Sequence, residues 1–431
     1  VSDEGPVTLA CSSPDDPDER HVLTRVGSGP LHLLGLLADT PYDCLVPGER
    51  RAAWVGSFRT GPLPDGLPRF DVGGDAATAV LDDGYVLFNH WRFGPEDRQF
   101  RAIVADGLGN IRWYLDLPEA ISGGIAVTWT GDELVVGGGG IRPSLRDLAG
   151  EIRFEVAPPA FEDPEEDVYN HEAALTPAGV LSLQLVPDTD GVVTWEGFRV
   201  EVTDPADGAV VWRFDSRTAR EAGGLPPGTE EDDDPYHANA AQWRDDDPDG
   251  PSVWVSLRAL QQILRIDRAT GATSFVGHAG DRALFSTSGE PLPATEWFYG
   301  QHAPYASGRD LLVYDNGSFR QPRFSRVAAY HLESEQRATL EWSWTEGGWF
   351  EPNWGSAAPM GDGHVLVATG HCAYCSGTGG ERGRGWMLEL DPAAGAPVWR
   401  LDFTESTDTL YRAQWVDGCS LFANQRFCEA R

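Results

Sequence analysis

The stretch GAVVWRFD at 208–215 opens on a turn residue, runs through branched apolar residues and closes on aromatics. Alone it reads as one short strand. It recurs as GNIRWYLDL (109–117), GEIRFEV (150–156), GATSFVG (271–277), RATLEWSW (337–344) and GAPVWRLDF (395–403). The aromatics Trp113, Phe154, Trp212, Phe275, Trp342 and Trp399 follow one another at intervals of 41 to 67 residues. A second phrase, a Gly or Asp turn and then an apolar run, precedes each one: DDGYVLFN (82–89), TGDELVVGG (130–138), PAGVLSLQL (177–185), DGPSVWVSL (249–257), SGRDLLVYD (307–315) and GDGHVLVATG (361–370). Helical periodicity is almost absent. One such sheet cannot bury both of its faces, whereas sheets packed face to face around an axis can. The pattern therefore predicts an all-β chain built on a six-bladed β-propeller, with seven blades as the alternative. A partial further phrase, YRAQWVDGCSLFANQ (411–425), is placed to close the ring by joining the first blade.

Ahead of the repeats, residues 1–60 read as a small β-sandwich. In LHLLGLLADTPYDCLV (31–46), Tyr42 follows a turn and enters a strand, the placement of a tyrosine corner, and the motif resembles fibronectin type III domains. The Pro- and Gly-rich GPLPDGLPRF (61–70) reads as a linker, leaving 71–431 for the propeller.

The 431 residues carry a net charge of −34, and all 33 bases are Arg. So negative a surface repels nucleic-acid phosphates and anionic lipid, which sets both aside as partners. No run of eighteen apolar residues is present, so no membrane span is expected. The chain starts at Val1 and reads as a mature or trimmed form, with a lipid anchor ahead of it left open. Six Cys allow fifteen connectivities; proximity favours Cys11–Cys44, Cys372–Cys375 and Cys419–Cys428. An even count at local spacing points to an oxidising compartment, periplasmic or extracellular. A redox pair or half a zinc site is the rival reading of CAYC (372–375), and His371 beside it reads as a loop residue.

In each unit the innermost strand should precede the turn phrase. The residues opening successive inner strands are His171, His237, His302, Asn353 with Trp354, and Tyr411. Equivalent ends of inner strands meet at one mouth of the central channel, so three of the ten His should converge on the axis. Asn239, two residues after His237, falls on the same face by strand alternation. Arg258 ends the strand that runs back along the inner one and can bring a fixed charge to the same mouth. Neutral imidazoles can act as nucleophile and general base, and a guanidinium and an amide can hold a tetrahedral anion. The set suits transfer of a phosphate-like or sulfate-like group through a His intermediate. Two other readings stay open: imidazoles that only brace neighbouring blades, and three His binding a transition metal with Glu172 or Asp315. The acidic runs EEDDD (230–234) and DDDPDG (245–250) read as solvated turns.

YHANAAQW (236–243), VWVSLRALQQILRIDRATG (253–271), QHAPYASGRDLLVYDNGS (301–318) and FSRVAAYHL (324–332) resemble the bacterial arylsulfate sulfotransferase family over most of 165–415. The resemblance implies a six-bladed propeller behind a small β-sandwich, with the site in the central channel. It implies no cofactor and no resident metal. It implies a small aromatic sulfate donor and a phenolic acceptor as partners. By the same resemblance His302 takes up the sulfuryl group in a ping-pong reaction. His171, His237 and Arg258 act beside it, Asn239 and Tyr411 bind substrate, and the Asp315–Asn316 turn is structural. Trp354 is an added candidate for stacking the aryl ring. The sequence departs from the family at SLR (256–258), where SSR is usual, and at Leu410, where a polar residue is expected. The alternatives are a metal-dependent propeller hydrolase, lactonase or lyase, and a propeller that binds without catalysis.

Overall fold

A computed structural model describes residues 7–16, 18–25, 32–47, 53–74, 80–93, 98–158, 168–189, 193–227, 234–277, 285–286, 288–334, 337–370, 384–422 and 424–428. The suggested Cys372–Cys375 pair and His371 lie outside these residues.

Among the described residues, 7–59 form one four-stranded antiparallel sheet, with Val7–Ser12 and Pro41–Val46 at its centre. Cys11 faces Cys44 in register and the two are joined in a disulfide. Tyr42 is fully buried; its oxygen accepts the Leu37 N–H at 2.9 Å, and its hydroxyl donates to Glu19 Oε1 at 2.9 Å. This sheet accounts for one layer of the expected sandwich. It is tied to the rest of the molecule through Glu19, which accepts Arg112 Nη1 at 2.7 Å.

Six further antiparallel sheets follow among the described residues, and they are the blades of a propeller. The first four are local in sequence. Their inner strands are Ile125–Trp129, Tyr169–Thr176, Ala238–Arg244 and His302–Ser307. The fifth begins at Ser356–Pro359 and gains an outermost strand, Phe70–Gly74, from the start of the repeat region. The sixth joins the start and the end of the repeat region: Ala413–Asp417 pairs with Gly84–Phe93, from Gly84 opposite Asp417 to Phe88 opposite Ala413. Each inner strand neighbours the next, and Ala413–Asp417 returns to Ile125–Trp129, so the ring is closed. The YRAQW phrase thus supplies the innermost strand of a shared blade. The residues just before Gly84 do not supply it, since Val80–Asp83 is a 3-10 turn.

Burial explains the two phrases. The second strand of a blade is covered on both faces, so Ser252–Leu257 is buried at every position and reads as a continuous apolar run. The outermost strand has one wet face, so Arg337–Trp344 alternates. Trp399 donates its indole N–H to Gly107 O at 2.7 Å, stitching the fifth blade to the sixth. Among the described residues no helix is long and apolar enough to cross a membrane.

Candidate active site

The inner strands that hold or directly follow the three predicted His share a local irregularity. Pairing with the second strand slips between Tyr169 and Ala173, between Ala238 and Ala240, and between His302 and Tyr305. At or just before each slip a non-glycine residue has positive φ: His171 at 60°, His237 at 45° and Ala303 at 39°. Such backbone costs about 1–3 kcal/mol per residue and persists only where surroundings enforce it. Bulges re-aim side chains, here into the channel. They also replace the alternation argument for Asn239: His237 precedes its strand in a left-handed conformation, and the pairing slips across Asn239 itself.

The rings do meet. The His171 and His237 centroids are 6.0 Å apart. Tyr411 stacks on His171 at 5.2 Å and stands edge-on to His302 at 6.1 Å. Its hydroxyl donates to Asn239 O at 3.0 Å. Asn239 is wholly buried and its Nδ2 donates to Gln301 O at 2.8 Å, while its Oδ1 has no partner. Arg258 follows its strand, and its backbone N–H donates to His237 O at 3.1 Å. Its Nη2 donates to Pro352 O at 3.0 Å, its Nε is buried without a partner, and among the described residues it makes no ion pair. The half-exposed ring of Phe319 covers it with its centroid 5.9 Å from the guanidinium carbon. Trp354 lies half-buried just before the fifth inner strand, edge-on to Trp91 at 4.3 Å.

Charge is distributed unevenly. Burial pushes the pKa of His171 well below its ordinary value, with His237, Arg412 and Arg258 adding to the effect. Burial does the same to His302, reinforced by Arg258 and opposed by the Asn316 hydrogen bond. Both rings are therefore neutral at pH 7. Burial also lowers the pKa of Arg258, against the pull of Asp234, Tyr411 and Glu351. It remains a cation. His237 is different: its side chain is 34% exposed, and Nδ1 and the backbone N–H are both held by the Asp234 carboxylate.

Several partners escaped the sequence reading. Asp234 belongs to the acidic run read as solvated, yet it orients a channel imidazole. Asp247, in the second acidic run, is buried and accepts from Trp254 at 3.1 Å and Arg265 at 2.9 Å, an internal anchor of the third blade. Arg412, directly after Tyr411, donates to Glu172 at 2.7 Å and to Asn239 O at 2.7 Å. The two carboxylates considered for a metal are thus otherwise engaged, Glu172 with Arg412 and Asp315 with Arg320 and Arg326. Among the described residues no group of three His, Cys, Asp or Glu is disposed to hold a metal ion. Leu410, where a polar residue was expected, is fully buried in the core between the fifth and sixth blades.

The family model described as Arylsulfotransferase (ASST) matches residues 76–412, which is most of the chain and all of the blades except the strands Phe70–Gly74 and Ala413–Asp417. The chain belongs to the arylsulfotransferase family. It is accordingly an enzyme of sulfuryl transfer between an aryl sulfate and a phenol. No curated protein matches it. Among solved structures it is similar to a protein of unknown function from Bacteroides caccae, at 12% identity and a TM-score of 0.47, over 77% of this chain and 99% of that one. It is also similar to a putative 6-phosphogluconolactonase from Bacteroides fragilis, at 11% identity and a TM-score of 0.38, over 97% and 99%. A third is the β-propeller domain of Myceliophteria thermophila Cps50 (Swd1), at 12% identity and a TM-score of 0.39, over 78% and 97%. Likeness this slight bears on neither substrate nor mechanism.

Proposed function

We propose that this arylsulfotransferase works by a ping-pong route through a sulfo-histidine at His302. The observation that supports it most is Arg258. A half-buried guanidinium with no ion pair among the described residues is costly until an anion arrives, and it stands beside two imidazoles that burial keeps neutral. The orphaned Asn239 Oδ1, His171 Nδ1 and Arg258 Nε belong to the same mouth, as polar atoms of a ligand site do.

The sulfuryl oxygens of the donor sit against Arg258, the Asn239 region and His171. The His302 Nε2 lone pair attacks sulfur, an N–S bond forms, and the bond from sulfur to the aryl oxygen breaks. The departing phenolate takes a proton from His237, whose other nitrogen is held by Asp234. His171 is neutral and its buried Nδ1 is unpaired, which suits it to binding rather than to proton exchange. In the second half, an acceptor phenol gives its proton to His237 and attacks sulfur, and the N–S electron pair returns to Nε2. The aryl groups rest on Trp354 and Phe319, the partly exposed aromatics of the mouth. Tyr411 has both ring directions occupied by imidazoles, so it acts as a spacer for them more than as a platform. The disulfides Cys11–Cys44 and Cys419–Cys428 favour an oxidising, periplasmic or extracellular setting.

Mixing enzyme with 4-nitrophenyl sulfate and no acceptor should release a stoichiometric burst of 4-nitrophenol and leave an acid-labile sulfuryl group on the peptide bearing His302. His302→Ala should abolish the adduct and lower turnover by at least about a thousandfold. Full turnover in that variant, or an adduct on another residue, sinks the proposal.

A further inference from the structure

We infer that Asn316 is a positioning residue that fixes the His302 proton on Nδ1 and so makes Nε2 the attacking atom. The meaning of this for catalysis rests on the sulfo-histidine reading above; the proton placement itself does not.

The argument starts in the Asp315–Asn316–Gly317 turn. Asp315 is fully buried and pairs with Arg320 and with Arg326 Nε at 2.8 Å, and it accepts the N–H groups of Tyr299 at 2.8 Å and Gly317 at 3.1 Å. Gly317 has φ +69°, and a Cβ there would lie 1.9 Å from Phe324 O, so only glycine fits. The Asn316 backbone carbonyl accepts Ser325 Oγ–H at 2.8 Å. The turn is therefore held on every side before the side chain of Asn316 is considered.

That side chain donates from Nδ2 to two backbone carbonyls, Glu351 O at 2.8 Å and Trp354 O at 2.9 Å. Carbonyls only accept, so the amide nitrogen must face them and Oδ1 must face His302. Nδ1 of His302 is 2.8 Å from that oxygen. An amide oxygen also only accepts, so Nδ1 carries the hydrogen and Nε2 keeps its lone pair. An ionised carboxylate at 316 would set its charge against the same two carbonyls, so the site demands a neutral amide.

Neutrality has a chemical consequence. When the Nε2 lone pair forms the N–S bond and the aryl oxygen leaves with the S–O electron pair, the Nδ1 proton stays where it was. The ring becomes a cation, and an amide cannot remove that proton as a carboxylate could. The N–S bond is thereby kept weak enough for the acceptor to break it.

Long-range 1H–15N NMR on the uniformly labelled full chain reads the tautomer directly. The expected result is a His302 ring protonated at Nδ1 and bare at Nε2; a proton on Nε2 overturns the inference, whatever the variants do. In Asn316→Ala the rate of the 4-nitrophenol burst should fall at least about tenfold, with the donor KM hardly moved and both tautomers present. An unchanged burst rate also overturns it. An Nδ1–H ring in a wild-type protein that gives no burst supports the positioning role and removes the sulfo-histidine reading instead. Should the variant not fold, the wild-type spectrum decides.

Discussion

Gly124 shows how much of this site is set by what a residue lacks. A Cβ at that position would stand 2.3 Å from His171 Nδ1, and at the neighbouring Gly123 it would fall 0.6 Å from a ring carbon of Trp91. The glycine pair lets an imidazole and an indole approach the inner rim of the first blade. Gly124→Ala pushes against a side chain that can rotate, so the fold should survive while His171 moves out of line. We expect kcat/KM to fall on the order of tenfold to a hundredfold with a nearly unchanged melting temperature, as checked by steady-state assay and a thermal scan. A melting temperature that collapses would mean that the contact braces the blade instead. From the sequence, ISGGIAVTW reads as a turn entering a strand, and nothing local in it points to a histidine 47 residues on.

The strands themselves were legible because burial leaves a mark on composition. Val253, Val255 and Leu257 are buried on one face of the third blade and Trp254 on the other, so the strand reads as a run; Trp342 and Trp344 flank exposed positions and alternate with them. The three His were legible for a related reason, since equivalent strand ends meet on one axis. Asp234, Asn316 and Arg412 were not. Acidic runs usually are solvated, and the partners of Asn316 are backbone carbonyls, which carry no residue signature. Asn239 was found by an alternation rule that a bulge suspends. Closure was legible in part: YRAQW read as an inner strand meeting the first repeat, as it does, but nothing in the sequence showed that Phe70–Gly74 would cross to the outer edge of the fifth blade. The short helices after it, Gly418–Phe422 and Gln425–Cys428, are clamped by the Cys419–Cys428 disulfide and set Phe422 and Phe427 edge-on to Tyr85 at 5.1 and 5.0 Å. Replacing both Cys by Ala opens a short loop, a loss of about 2–3 kcal/mol in the chain-entropy account. The apparent melting temperature should drop by a few degrees while the 4-nitrophenol burst is retained. Loss of the burst at a temperature where the variant is folded would show that the clamp reaches the channel.

At the scale of the molecule, the absence of Lys leaves Arg to neutralise buried acids, as in the Glu19–Arg112–Asp106 chain that joins the N-terminal sheet to the sixth blade. Burial raises the Glu19 pKa, but the hydrogen bond from His21 and the charge of Arg112 win and bring it down to about 2. Three imidazoles with lowered pKa values set an earlier limit. His90, His171 and His302 all have pKa values lowered by burial, so the unfolded chain takes up protons that the folded chain refuses. Stability should be level above about pH 6.5 and fall below it, by up to about 1.4 kcal/mol per pH unit for each ring. Glu19 and Asp408, whose pKa values are depressed, add their loss only below the ordinary carboxylate range. Relief of the self-repulsion of the −34 charge also waits for that lower range. Denaturant titrations at pH 7.5 and 5.5 check this, and equal midpoints would contradict it. The sixth blade carries a last consequence. Gly84 must wait for Asp417, so a polypeptide still emerging from the ribosome can build sheets one to four as it goes but cannot shut the ring. Tyr411 and Arg412 arrive with the closing strand. Sulfuryl chemistry is thus withheld from nascent chains.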